Sequence, residues 1–437
     1  MAGVRRGQPG NAGGGWRLPA GFAVLIPALI LALAAPLAQG AEWTFDEARS
    51  LYEVEAGQRL VLAGPGGARL ALRGGHLMVV WAEHEGERPT ATRFLHARLA
   101  DGAPSFGEPE RVTSAGGAAE PVVAPLAGRG NFVLAWRERN QVRARLWREG
   151  TLAPPLPVAR GEAAELTLAP VGREALLVWG RPGTEWQRLA GARLAMTDRR
   201  QLERSWLGEL IDERRPGGQR TPALAGAGAG AVLLFNQVRD RHTRLYITRN
   251  PALGEGFGPA APLNPLPAKS SGAIGRGPRI EAPAVASDGD RRVAGAWLER
   301  RGDGVGPRLQ TVHSRDGGRS FPRLEPLLGE EPERALRAEP DLALSSLGLV
   351  VAVWRHQEVD EQGRTADSPT LRVAVREGED GWGDARALPG CRTERGCREP
   401  LVALDGNGGA HFLWLEGTPE AGMALRYQRA TLAPDGE

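Results

Sequence analysis

The sequence predicts an all-β protein made of seven similar units, and three observations support this prediction. An aromatic phrase recurs along the chain, an apolar phrase precedes each copy of it, and Gly and Pro interrupt the sequence throughout. The 437 residues include 60 Gly and 34 Pro, which leaves few stretches long enough for a regular helix. The composition therefore excludes a helical bundle.

The aromatic phrase is an apolar run that ends in Trp or Phe, followed two positions later by a polar residue. Its copies lie 43 to 62 residues apart, which is the period expected when each unit is one small sheet. The seven aromatic residues are Trp81, Trp136, Trp179, Phe235, Trp297, Trp354 and Trp414. We expect each large ring to fill the gap between neighbouring sheets and to bury roughly 150–250 Å².

An apolar alternation centred on Ala precedes each aromatic phrase by about ten residues. Its copies begin at Glu120, Glu165, Thr221, Ala282, Glu339 and Glu399, with a shorter version around Arg69. Each pair of phrases predicts two strands joined by a Gly-rich turn, and third strands follow, as at Arg308–Ser314 and Leu371–Val375. Four short antiparallel strands repeated seven times predict a seven-bladed β-propeller, with six blades as the alternative.

The two ends of the chain predict how the ring closes. The last unit, Glu399–Leu432, supplies only three strands, and Phe45–Leu51 aligns without a gap with the fourth-strand phrase Trp382–Leu388. We therefore expect residues 41–63 to complete the last blade and residues 64–437 to hold the seven repeats. Residues 41–437 are predicted to form a single domain with no open sheet edge at the junction.

The first 40 residues are predicted to be a signal peptide. An apolar run at 21–38 follows an Arg-containing leader without acidic residues, and Ala38-Gln39-Gly40 resembles a signal-peptidase site. A retained anchor is the alternative, and membrane contact is expected only in that case. We expect a periplasmic or secreted protein, in which Cys391 and Cys397 form a small disulfide loop.

Charge and motif content exclude several partners. The chain has 55 Lys+Arg and 52 Asp+Glu, and the leader contributes three Arg. The remainder therefore balances at 52 against 52, and no nucleic-acid partner is predicted. The seven His residues show no metal-ligand spacing, and no phosphate-binding Gly loop opens a helix. We predict neither a metal nor a cofactor.

A turn in the fifth unit carries a recognisable pattern. Its residues Ser314, Asp316, Gly318, Ser320 and Phe321 match the Asp-box, Ser-x-Asp-x-Gly-x-Ser/Thr-Trp/Phe. The Asp is expected to cap backbone N–H groups, the Gly to adopt positive φ, and the aromatic ring to anchor the turn. Weaker copies occur at Asp101, Asp198 and Asp380. The sequence thus resembles the BNR repeats of the sialidase superfamily, a resemblance that implies a propeller with structural Asp-boxes.

The catalytic set implied by that resemblance cannot be assembled here. Sialidases of this kind have six blades, three arginines, a Tyr nucleophile paired with Glu, and an Asp acid/base. Only Arg69-Leu70-Ala71 is comparable with the first arginine phrase, and Tyr52, Tyr246 and Tyr427 are the only tyrosines. Tyr246 and Tyr427 fall in predicted third strands, away from the axis. The sequence therefore favours a protein without sialidase chemistry.

The candidate binding residues lie where first strands begin and second strands end, which is one face of a propeller around its channel. They are Glu120, Glu165, Glu339 and Glu399 from the apolar phrase and Glu83, Glu138, Glu299, His356 and Glu416 after the aromatic residues. We expect this mouth to bind a protein or glycan partner. Two of the carboxylates could instead hydrolyse a glycoside. A third possibility is a lyase or metal-dependent enzyme with ligands spread over several blades. For any single Glu, the alternative is that it is solvated or paired with a neighbouring Arg.

Overall fold

The computed structural model describes residues 43–432 apart from 63–68, 101–102, 114–115, 184–185, 212–216, 240–241, 253–254, 264–278, 301–305, 329–334, 361, 366–367, 379–380 and 393. The predicted signal peptide, residues 1–40, lies outside the described residues. Trp43–Leu432 form one compact unit. Within the described residues there is no helix long and apolar enough to cross a membrane.

Seven antiparallel sheets, the blades, account for the regular structure of the described chain. The chain starts with β1 (Trp43–Phe45) and β2 (Arg49–Val54). Blade 1 contains β3 (Gln58–Val61), β4 (Leu70–Arg73), β5 (His76–Glu85), β6 (Arg88–Ala100), β7 (Ala103–Phe106) and β8 (Glu110–Arg111). Blade 2 contains β9 (Ala118–Pro125), β10 (Asn131–Glu138), β11 (Gln141–Arg148), β12 (Thr151–Leu152) and β13 (Leu156–Arg160). Blade 3 contains β14 (Ala164–Val171), β15 (Glu174–Arg181), β16 (Arg188–Met196) and β17 (Leu202–Glu209).

The remaining blades have the same order of strands. Blade 4 contains β18 (Gly218–Ala227), β19 (Gly230–Arg239), β20 (His242–Asn250) and β21 (Ala261–Pro262). Blade 5 contains β22 (Arg279–Ser287), β23 (Val293–Arg300), β24 (Arg308–Ser314) and β25 (Leu324–Pro326). Blade 6 contains β26 (Ala335–Leu344), β27 (Val350–Glu358), β28 (Thr370–Arg376) and β29 (Arg386–Ala387). Blade 7 contains β30 (Cys397–Leu404), β31 (Ala410–Thr418) and β32 (Gly422–Leu432).

The N-terminal strand completes blade 7, as the sequence predicts. β1 pairs antiparallel with β32, placing Trp43 opposite Leu432, and β2 continues along the same strand. The innermost strands β4, β9, β14, β18, β22, β26 and β30 contact one another in order, and β30 also contacts β4. The seven-bladed prediction is therefore confirmed, and the ring is closed by hydrogen bonds between the two ends of the chain.

The core consists of the layers between neighbouring blades. Val122 and Val133 of blade 2, for example, pack with Leu166 and Trp179 of blade 3 in one cluster. The repeated aromatic residues are buried in these layers, which confirms their predicted role. Because each ring belongs to one blade and packs against the preceding one, as Trp179 of blade 3 does against blade 2, this burial holds neighbouring blades together.

A β-bulge recurs near the start of the innermost strand in six blades. At each bulge the pairing register shifts and one non-glycine residue has positive φ. The φ values are 53° at Glu120, 57° at Glu165, 47° at Thr221, 46° at Ala282, 54° at Glu339 and 51° at Glu399. A bulge re-aims the local peptide groups. We call these six residues the bulge residues.

Two local features concern residues singled out in the sequence. Cys391 and Cys397 are joined by a disulfide, as predicted. In the turn after β24, the Asp316 carboxylate accepts hydrogen bonds from the backbone N–H groups of Arg319 and Ser320, each at 2.9 Å. The Ser314 hydroxyl donates to the same carboxylate at 2.7 Å. These contacts give Asp316 a structural role in the turn.

Candidate functional site at the channel mouth

The channel mouth is the end of the ring where the innermost strands begin and the second strands end. Its bulge glutamates connect one blade to the next. Glu165 Oε2 accepts a hydrogen bond from Thr221 N at 2.8 Å, and Glu339 Oε2 accepts one from Glu399 N at 2.7 Å. Glu399 Oε2 in turn accepts one from Leu62 N at 2.6 Å. Each carboxylate thus satisfies a backbone donor of the following blade with a charge-assisted bond.

The same glutamates also contact polar side chains. Glu339 Oε1 lies 3.4 Å from Arg355 Nη2, and Glu165 Oε2 accepts a bond from Gln187 Nε2 at 3.0 Å. Glu120 Oε1 lies 3.3 Å from Arg137 Nε. An Arg or a side-chain amide therefore accompanies the carboxylate in these three blades and takes up part of its capacity to accept hydrogen bonds.

Arg69 occupies the mouth between blades 7 and 2. It is buried and donates from Nη1 to the carbonyl oxygen of Pro121. Burial lowers the pKa of Arg69 to about 10, and the charges of Glu120 and Glu399 oppose that shift. Glu120 Oε2 is buried without a hydrogen-bond partner among the described atoms. Arg69 therefore balances charge between two of the bulge carboxylates.

The candidates that follow the aromatic residues lie near the ends of the second strands. Glu416 is fully buried, with its oxygens 3.6 Å from Arg395 Nη1 and 3.5 Å from Arg426 Nε. Glu138 Oε2 accepts a hydrogen bond from Trp136 Nε1 at 3.1 Å.

The other three members of this group have similar surroundings. Glu83 forms an ion pair with Arg93, and Glu299 and His356 are buried. The nine candidate residues therefore fall into two groups, the bulge glutamates and the residues near the ends of the second strands.

Asp341 is a site residue that the sequence reasoning missed. It follows Glu339 by two residues in β26, and its Oδ2 accepts a hydrogen bond from Val402 N of blade 7 at 2.9 Å. Burial raises the pKa of Asp341 to about 7, against the effect of backbone hydrogen bonds from Val402 and Leu342. The sequence feature that could have revealed it is the phrase EPDLAL. This phrase has Asp at the position where the corresponding phrase in β30, EPLVAL, has Leu401.

A buried Asp–His–Tyr network lies at the opposite end of blade 7. His411 Nδ1 is 2.8 Å from the Tyr427 hydroxyl oxygen, and His411 Nε2 is 3.3 Å from Asp405 Oδ2. Asp405 also accepts bonds from the N–H groups of Asn407 and Gly409, each at 2.8 Å. All three side chains are buried. The network therefore holds a turn against β32 and offers no access to a substrate.

No family model and no curated protein matches this sequence. The sialidase resemblance accordingly has no family match behind it, and the Asp-box assignment stays a prediction.

Solved structures do share the fold. An ulvan lyase of the PL25 family, bound to -[GlcA(1-4)Rha3S]-, is similar at 6% identity over 86% of this chain and 95% of that chain, with a TM-score of 0.53. Polysaccharide lyase Uly1 is similar at 9% identity over 85% and 91%, with a TM-score of 0.50. An α-L-arabinanase from Penicillium chrysogenum, complexed with arabinobiose, has a TM-score of 0.44 at 11% identity over 71% and 93%. At these identities the likeness is one of fold, so the class that can be stated is a seven-bladed β-propeller.

Proposed function

We propose that this protein is an exported β-propeller that binds a glycan at its channel mouth without cleaving it. One observation carries the proposal: the bulge glutamates are engaged with backbone N–H groups or with arginines. A glycosidase needs one carboxyl group that can donate a proton and a second that attacks or activates water. Carboxylates that accept hydrogen bonds from the backbone of the next blade have a structural role instead, because they hold neighbouring blades together.

A glycan is favoured over a protein partner by the surface of the mouth. Trp186, in the segment between β15 and β16, is 37% exposed there. An indole ring that is partly open to solvent offers a flat apolar face on which a sugar ring can stack, with a polar edge for hydrogen bonding. The fold shared with two polysaccharide lyases is consistent with a glycan ligand.

Export is supported by the covalent structure. The Cys391–Cys397 disulfide is a bond typical of oxidising compartments. Together with the leader described above, it favours a periplasmic or secreted location.

The test is glycan binding and turnover by the purified chain from residue 41 onward. We expect binding to members of a polysaccharide panel, no release of fluorophore from glycosides, and no unsaturated uronate product. Trp186→Ala should weaken binding at least tenfold. Leu347→Ala is the matched control, because Leu347 is 77% exposed in the turn between β26 and β27 at the other end of the ring. Turnover that disappears in Glu339→Gln or Glu399→Gln would overturn the proposal.

A glycan-degrading enzyme is the second candidate, and Asp341 is the observation that favours it. A carboxyl group with a pKa of about 7 can act as a general acid or base near neutral pH. Under this alternative, a measured glycan-cleaving activity would be lost in Asp341→Asn, while binding of the same glycan would persist. Activity that survives in Asp341→Asn excludes this role for Asp341.

A further inference from the structure

The ring of bulge glutamates is interrupted in blades 4 and 5, where Thr221 and Ala282 take their place. Where the bulge residue is a glutamate, its carboxylate can accept a hydrogen bond from the next blade. Glu165 accepts one from Thr221 N, and Glu339 accepts one from Glu399 N. Ala282 has nearly the same positive φ, 46°, as Thr221 at 47°, and we therefore expect its N–H group to face the preceding blade in the same way. Thr221 has no carboxylate that could accept a hydrogen bond from the Ala282 N–H group. The interface between blades 4 and 5 therefore lacks the carboxylate acceptor that Glu165, Glu339 and Glu399 supply at three other interfaces.

Asn236 lies at this interface and adds an unused acceptor. Its Nδ2 donates to the Thr221 hydroxyl oxygen at 2.7 Å and lies 3.3 Å from the carbonyl oxygen of Ile280 in blade 5. Asn236 is 4% exposed, and its Oδ1 is buried with no hydrogen-bond partner among the described atoms. A buried carbonyl oxygen without a donor is unfavourable, so a ligand hydroxyl that donates to it is stabilised there.

The charge at this interface also differs from that of complete interfaces. Arg137 and Arg355 each lie beside the bulge glutamate of their own blade. Blade 4 has no bulge carboxylate, yet Arg220 stands directly before Thr221, opposite Asn236 in the strand register, and is exposed. Arg220 and Ala282 therefore place a residue with a guanidinium and a backbone N–H next to the gap, and these are the donors that bind carboxylates in proteins.

Thr221 is the only β-branched residue among the six bulge residues. Positive φ is a strained conformation for a β-branched residue, and such strain concentrates at binding and catalytic sites. The position lacks a carboxylate although Glu occupies the same backbone conformation in four other blades.

We propose that the gap between blades 4 and 5 is a subsite for the carboxylate of a uronic acid residue, a proposal that rests on the glycan-binding function above. The sugar carboxylate takes the place of the missing glutamate, accepting hydrogen bonds from Ala282 N–H and Arg220. A ring hydroxyl of the same residue donates to Asn236 Oδ1. The ligand is therefore an acidic glycan, and its carboxylate completes the ring of acceptors.

The experiment compares trigalacturonate with its trimethyl ester by titration calorimetry on the chain from residue 41 onward. We expect the acid to bind at least tenfold more tightly than the ester. Thr221→Glu supplies the missing carboxylate, so it should weaken trigalacturonate binding at least tenfold without lowering the melting temperature. Leu347→Glu is the matched control, because it adds a carboxylate at an exposed position at the other end of the ring and should leave the affinity within twofold.

Arg220→Gln keeps the test decisive if Thr221→Glu does not fold, since Arg220 is exposed. We expect at least tenfold weaker binding of trigalacturonate and an unchanged melting temperature. Equal binding of acid and ester, unchanged affinity in Arg220→Gln, or tighter binding of a triglutamate peptide than of trigalacturonate overturns the subsite. Binding of neutral glycans alone overturns this inference and leaves the proposed function standing, whereas absence of any glycan binding removes the proposed function itself.

Discussion

Replacing Asp341 by Asn is expected to change how the stability of the protein depends on pH. The folded-state pKa of Asp341 is about 7, against 3.8 for an ordinary Asp side chain. A carboxyl group with a raised pKa binds more protons in the folded state than in the unfolded state, so stability falls as pH rises between these two values. The difference of about 3 pH units corresponds to at most about 4 kcal/mol at 1.36 kcal/mol per unit.

The physical cause is the position of the carboxyl group in β26, where it accepts a hydrogen bond from Val402 N. Asn retains an oxygen that can accept this bond but carries no charge at any pH. Because Asp341 is only half-buried, solvent screens part of the effect, and we expect about 2–3 kcal/mol rather than the full value.

The assay is urea denaturation of wild type and Asp341→Asn at pH 4, 5.5, 7 and 8.5. The wild-type free energy of unfolding should fall between pH 4 and pH 7 relative to the variant, and the variant should be the more stable protein at pH 8.5. Two stability curves that stay parallel over this range would refute the reasoning.

Asp316→Asn is the matched control with the opposite sign. Burial alone would raise the pKa of Asp316, but hydrogen bonds from Ser320, Ser314 and Arg319 outweigh it and lower the pKa to about 2. This carboxylate contributes stability above pH 4 that is lost as pH falls toward 2. The substitution should therefore destabilise the protein at pH 7 by about 1–2 kcal/mol and have less effect at pH 2.5.

Three further predictions concern the closure, the disulfide and the glutamate ring. Deleting residues 43–51 removes Trp43 and Phe45 from their packing on Phe412, so the free energy of unfolding should fall by at least about 5 kcal/mol; an unchanged melting temperature would show that the closure contributes nothing. Mass spectrometry after alkylation without reduction should find no modified thiol, and alkylated Cys391 or Cys397 would exclude the disulfide. Glu339→Ala leaves Glu399 N without its acceptor and should cost about 1–3 kcal/mol in urea denaturation, whereas Arg372→Ala, on the third strand of the same blade, should cost less than about 1 kcal/mol.

The sequence by itself determined the architecture of this protein. The recurring Trp residues, such as Trp136 and Trp354, mark second strands because each blade must bury the same kind of ring against its neighbour. The closing strand was visible in the likeness between Phe45–Leu51 and Trp382–Leu388, and the structure pairs β1 with β32. Because the same positions are buried in every blade, apolar and aromatic residues recur at a regular spacing, and this spacing can be recognised in one sequence.

The chemistry of the mouth was decided by the tertiary structure alone. The sequence placed Glu165 and Glu339 near the channel, but only the structure shows that each carboxylate meets a backbone N–H from the next blade, 56 and 60 residues away along the chain. The proton affinity of Asp341 depends on the strand that buries it. The gap beside Ala282 exists only because the bulges repeat in space. Hydrogen bonds and burial between blades join residues far apart in the chain, and no local pattern of residues encodes those distances.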